Sequence, residues 1–133
     1  MATLNLSIGG FAVPPELVEI VERGSWLPPA EQVLREVFMD DPDDPHFYDF
    51  ATMVRQNELF RAMDSDDYAA LVGGNQSDID PGWCVVIGDL GADMPIALDY
   101  RSNPDNPRVI YLGLDGWREV APSFGALAQL LQL

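Results

Sequence analysis

Lysine is missing from this sequence altogether, and cysteine and histidine occur once each, as Cys84 and His46. A lone cysteine closes no internal disulfide, and no cluster of histidine and cysteine has the spacing of a zinc site. With one histidine, no convincing Ser-His-Asp or Cys-His set can be assembled. His46 follows Pro45 beside an acidic loop and reads as a solvated bystander. Cys84, between Trp83 and Val85, reads as a small core residue with an inert thiol. Gly9-Gly10 and Gly73-Gly74 lack the glycine spacing and the lysine of a phosphate-binding loop. Apolar runs are only a few residues long, too short to span a bilayer. The N-terminal residues show neither the basic region nor the apolar stretch of a secretory signal. These absences predict a cytoplasmic protein with no cofactor and no membrane partner.

What is present is acid. The 133 residues carry 22 Asp and Glu against 7 Arg, a net charge of −15. Such a field repels phosphate backbones and anionic lipid surfaces, which argues against direct nucleic-acid binding, and it attracts basic proteins. Plain solubility is the competing reading of the same charge. With 47% apolar residues, the chain is no disordered acidic tail. Its length suits a single domain over residues 1–133, able to bury roughly two-thirds of its unfolded surface without disulfides or metal.

The pattern divides into a helical first half and a strand-rich second half, predicting an α+β fold. Leu4, Leu6 and Ile8 alternate before Gly9-Gly10. Pro14-Pro15 opens a helix with Leu17, Val18, Ile20 and Val21 on one side and Glu16, Glu19 and Glu22 on the other, stopped by Gly24. Pro28-Pro29 opens a second, with Val33, Leu34, Val37 and Phe38 inward and Glu31 four residues before Arg35. Asp40-Asp41-Pro42-Asp43-Asp44-Pro45 must be an exposed loop with no obvious cation nearby in sequence. A third helical stretch is expected from His46 to Met63, with Phe47, Phe50 and Val54 on one face and Leu59, Phe60 and Met63 buried further on. Asp64 or Ser65 suits the cap of a short helix through Tyr68 and Leu71, ended by Gly73-Gly74. Asn75 to Gly82 reads as a polar loop.

From there the period changes to two. Trp83–Ile87, Ile96–Tyr100, Val109–Leu112 and Trp117–Ala121 read as four strands, and their short Gly-, Pro-, Asp- and Asn-rich links favour an antiparallel meander. Pro122-Ser123 starts a last helix, with Phe124, Leu127, Leu130 and Leu131 turned inward across a sheet face that needs covering.

The run Val86-Ile87-Gly88-Asp89-Leu90-Gly91, then Pro95 to Arg101, Arg108 to Leu112, Trp117 to Ala121 and Ser123-Phe124, resembles the SUKH superfamily. That superfamily includes the fungal cell-wall-assembly regulator and many bacterial immunity proteins. The likeness is good from Val86 to Leu133 and looser before it, where Val13 to Leu17 is similar to the family's first helix. It implies an α+β fold with helices flanking a mixed or antiparallel sheet, no cofactor and no chemistry. It also implies binding of protein toxins, many of them nucleases, by bacterial members. The motif residues are Gly88, Asp89, Gly91, Asp99, Tyr100, Trp117 and Phe124. By residue type, Gly88, Asp89 and Gly91 are a strand-to-turn device. Asp99 can pair with Arg101 or Arg108 on the sheet rim, and Trp117 reads as a rim or core anchor or as an interface hot spot.

Three functions stay open on these residues. The first is an immunity-type module that binds a basic toxin partner, with Asp40, Asp41, Asp43, Asp44 and Trp117 as the partner-binding candidates. The second is a regulatory or scaffold domain that binds a cellular protein. The third is a small carboxylate enzyme or a binder of a cationic ligand. Neither Asp40 to Asp44 nor Asp64, Asp66 and Asp67 matches a calcium loop with its Gly and closing Glu, so no metal is expected.

Overall fold

The computed structural model describes residues 6–61, 81–91, 94–113 and 116–133. Its centre is an antiparallel sheet of five strands in the spatial order β3-β4-β5-β6-β7, preceded in the chain by a small hairpin, β1-β2. The hairpin strands are β1 (Ser7–Ile8) and β2 (Phe11–Ala12). Gly9 and Gly10, at φ 61° and 87°, make the two-residue turn between them, a conformation that glycine adopts without steric penalty. The hairpin is tied to the main sheet by Tyr100, whose hydroxyl donates to the Ala12 carbonyl at 2.7 Å and whose ring stacks on Phe11.

Helices α1 (Pro15–Glu22) and α2 (Glu31–Phe38) follow. Leu17, Val18, Ile20, Leu34 and Phe38 are buried, and Val21, Val33 and Val37 pack against that core. The Glu31–Arg35 pair forms at 3.1 Å on the exposed face. The strands of the second half are β4 (Cys84–Asp89), β5 (Pro95–Asp99), β6 (Arg108–Gly113) and β7 (Gly116–Ala121), each antiparallel to the next. Cys84, the chain's single cysteine, is buried in the core. The last helix, α4 (Phe124–Leu130), is capped by Ser123, whose Oγ accepts from the Ala126 amide at 3.1 Å. It packs on β6, β7 and α1.

Four expectations are corrected. His46–Phe47 is a strand, β3, and not the start of a helix; α3 runs from Phe50 to Arg61. Pairing of His46 with Asp89 and of Phe47 with Gly88 gives these residues a sheet neighbour that sequence-local reasoning cannot supply. On α3, Met53, Asn57 and Phe60 are buried while Val54 and Leu59 lie exposed. Asn57 belongs inside because its side chain bonds both backbone groups of Val86, accepting from N–H at 2.9 Å and donating to C=O at 3.0 Å. Leu130 is exposed on α4, and Ala128 with Leu131 completes the inner face. Finally, Val85–Ile87, Ile96–Leu98 and Val109–Leu112 are buried without alternation, so both faces of the central strands are covered and not one. The expectations for Met63 to Asp80 lie outside the described residues.

Candidate functional site

The site grows from one end of β4. A bulge lies between Val86 and Gly88, and β3 pairs antiparallel close beside it. A Cβ on Gly88 would sit 2.8 Å from the His46 carbonyl oxygen, and one on Gly91 would sit 2.5 Å from that of Asp43. The two glycines therefore do more than turn the chain: they let the 43–47 segment lie against the sheet edge. Backbone bonds hold it there, with the Asp43 amide donating to the Leu90 carbonyl and the Tyr48 amide to that of Ile87.

That docking gathers side chains from three elements. Asp89 ends β4, and its carboxylate is mostly shielded. One oxygen lies 3.1 Å from Nδ1 of His46 and the other accepts from the Tyr48 hydroxyl. His46 Nε2 is 3.6 Å from Asp44. The bond to Asp89, its charge, and then the charge of Asp44 raise the imidazole pKa above its ordinary value, so both ring nitrogens face acceptors and the charged form is favoured. Burial first, and then the bond to Asp89, push the Tyr48 hydroxyl far above its usual range, so it stays a donor. Asp49 caps α3: its Oδ1 accepts from the Thr52 amide at 2.8 Å. This bond holds the carboxyl below the usual carboxylate range.

Between these groups opens a cleft of about 620 Å³. Its aromatic part is Phe47, half-buried, with Trp26 stacked on it at a centroid distance of 4.2 Å. Trp26 is fixed by its indole N–H, which donates to the Ile87 carbonyl. Val21, Leu27, Asp49, Thr52, Gln56 and Asp89 complete most of the wall, and among the described residues no arginine lines it. Among the described residues, Tyr48 and Thr52 bring hydroxyls to the lining. Among the described residues no group of three or more His, Cys, Asp or Glu is arranged to hold a metal ion.

The acidic loop is better anchored than its composition suggests. Asp40 accepts from the buried Tyr111 hydroxyl at 2.9 Å. Asp41 takes Arg35 Nε at 2.8 Å, so a cation six residues away does serve this loop. Asp43, Asp44 and Asp41 remain exposed. Trp117 is 9% exposed and meets Phe60 edge-on at 6.4 Å, which makes it a core side chain on the sheet. Phe124 is buried against Trp26. Asp99 is buried at the opposite end of β5 and holds both of its expected partners, Arg101 Nη2 at 2.9 Å and Arg108 Nη2 at 2.8 Å. The structure thus brings Asp89 and the acidic loop to one end of the sheet, and leaves Asp99, Tyr100 and Trp117 away from the cleft lining.

Sequence alone makes His46 a solvated bystander and does not join Trp26, Phe47, Tyr48 and Asp49 into a site. The signal available was the run His46-Phe47-Tyr48-Asp49, where the chain's one histidine, two aromatics and an acid stand side by side.

A family model described as the SMI1 / KNR4 family (SUKH-1) matches residues 7–129. No curated protein and no solved structure matches the chain.

Proposed function

The chain belongs to the SMI1 / KNR4 family (SUKH-1), and from that premise we propose that it is a non-catalytic protein-binding module of the immunity type, which binds and neutralises a basic toxin partner. The family covers immunity proteins and regulators and is generally non-catalytic. The observation that carries the reading is the placement of charge: Asp44, Asp49 and Asp89 converge with exposed Asp41 and Asp43 on the one end of the sheet that also opens an aromatic cleft. An acidic surface of this kind complements the phosphate-binding cleft of a basic nuclease, steering encounter and fixing register.

The test uses the protein product of the neighbouring gene, assayed for toxicity and for binding to this chain. Stoichiometric inhibition of its toxicity supports the immunity reading. Tight binding to a non-toxic cellular protein, without inhibition of the toxin, replaces it with a regulatory or scaffold role on the same fold. The acidic loop provides a kinetic check. Changing Asp40, Asp41, Asp43 and Asp44 together to Asn keeps an acceptor for Tyr111 and leaves the fold in place. Association with the basic partner should slow about tenfold at low salt and far less at high salt, where charges are screened beyond about 8 Å. Equal association rates at low salt would reduce the loop to solubilising surface.

A further inference from the structure

We infer that the cleft beside β3 is an anchor pocket for an arginine side chain of the protein partner, with Asp89 and Asp49 receiving the guanidinium and Phe47, backed by Trp26, receiving its flat face and stem. This rests on the protein-binding reading and names the chemistry of its central contact.

Two carboxylates stand at opposite ends of the same strand pair. Cys84 pairs with Asp99 and Asp89 with Pro95, so Asp99 and Asp89 mark the two ends of the β4-β5 ladder. Asp99 is saturated from within the chain, by Arg101 and Arg108. Among the described residues no guanidinium reaches Asp89. It holds a tyrosine hydroxyl and one edge of a histidine, and a carboxylate has about four lone-pair sites. Acceptor capacity therefore remains on a shielded carboxylate that faces a cleft. Asp49 adds a second negative charge on the same wall, with its Oδ1 turned to the Thr52 amide. Among the described residues no arginine lines the cleft, and the chain has no lysine; His46 is the cationic side chain in its wall, and Arg55 reaches Asp49 only through its charge.

The shape of the remaining wall selects the guest. A guanidinium is planar, stacks on aromatic faces and forks onto carboxylates, whereas an ammonium is a compact, strongly hydrated point charge. The stacked Phe47–Trp26 pair offers a flat surface beside the carboxylates. Apolar Val21 and Leu27 suit the methylene stem, which buries readily along such surface. Leu27 is 62% exposed. An exposed leucine at the lip of a charged pocket fits the border between an anchor and the surrounding contact area of a protein interface, rather than the mouth of a small-metabolite site.

The experiment titrates the isotope-labelled full chain with N-acetyl-arginine N-methylamide, its lysine counterpart and its uncharged norleucine counterpart. The Trp26 indole and His46 ring resonances are followed by NMR. The arginine derivative should shift both, saturate, and bind about tenfold more tightly than the norleucine derivative, the ratio expected of one charge-assisted contact in a sheltered cleft. Asp89→Asn and Asp49→Asn should each bring arginine affinity down toward that of norleucine while norleucine binding is unchanged. Asn caps helices about as well as Asp, so Asp49→Asn remains folded even if Asp89→Asn does not. Equal affinities for arginine and norleucine, or unmoved Trp26 and His46 resonances, overturn the pocket. Lysine binding as tightly as arginine overturns the guanidinium assignment. A basic protein that binds while the probe leaves the cleft unmoved sinks the pocket and spares the binding-module reading. Saturable probe binding supports the pocket even where no protein partner is found.

Discussion

Asp99 has almost no contact with water, yet among the described residues it is the carboxylate with the most side-chain partners. Burial alone would raise its pKa. The bonds from Arg101 and Arg108 outweigh that and hold it below the ordinary carboxylate value. A folded-state pKa lower than the unfolded one, about 3.9, adds stability that is present above that pH and is lost as pH falls through the folded value. Asp99→Asn should cost roughly 1.5–3 kcal/mol at neutral pH, the range for hydrogen bonds to charged groups, and should flatten the acid limb of the stability curve. A chemical-denaturation series from pH 7 to about pH 2 checks both, and an unchanged acid limb would show that other carboxylates carry it. This cluster was legible in the sequence because Arg101 and Arg108 lie two and nine residues away. The Asp89–His46 pair was not, because its partners are separated by 43 residues and neither signals the other locally.

Among the elements, the strands of the second half were read almost to their ends, since alternation and turn residues reinforce each other there. Helix α3 departs from its sequence pattern for a physical reason. Its inner stripe contains Asn57, polar in sequence but buried because β4 leaves the backbone of Val86 unpaired on the side that β3 does not reach. The asparagine takes both groups, as a further strand would. Hydropathy cannot anticipate a polar side chain recruited to finish a sheet edge. Helix α4 shows the converse, because its leucines were all assigned inward. Leu127 is buried and Leu130 is 48% exposed. Leu127→Ala should cost roughly 2–5 kcal/mol through the cavity it leaves, whereas Leu130→Ala should stay within about 0.5 kcal/mol. Comparable losses at the two positions, measured by urea unfolding, would mean that the helix packs differently.

Across the whole molecule, four strands succeed one another through short links, while β3 comes from within the helical half, between α2 and α3. Its two residues, and the 43–48 segment around them, are held by few backbone bonds: the Asp43 and Tyr48 amides and the two pairs with β4. Short elements with few buried contacts open locally at low free energy, and central strands open only near the global value. In hydrogen exchange, the Tyr48 and Asp43 amides should therefore lose protection well before those of β5 and β6. Gly88→Ala, which forces a methyl against the His46 carbonyl, should speed them further and leave β5 and β6 nearly unchanged. Uniform acceleration throughout the sheet would show that β3 and the meander open together. The consequence concerns time rather than shape. Because the cleft exists only while β3 is docked, whatever occupies it must hold that segment shut, and the exchange rate of two amides becomes a clock that reports occupancy without any view of the ligand.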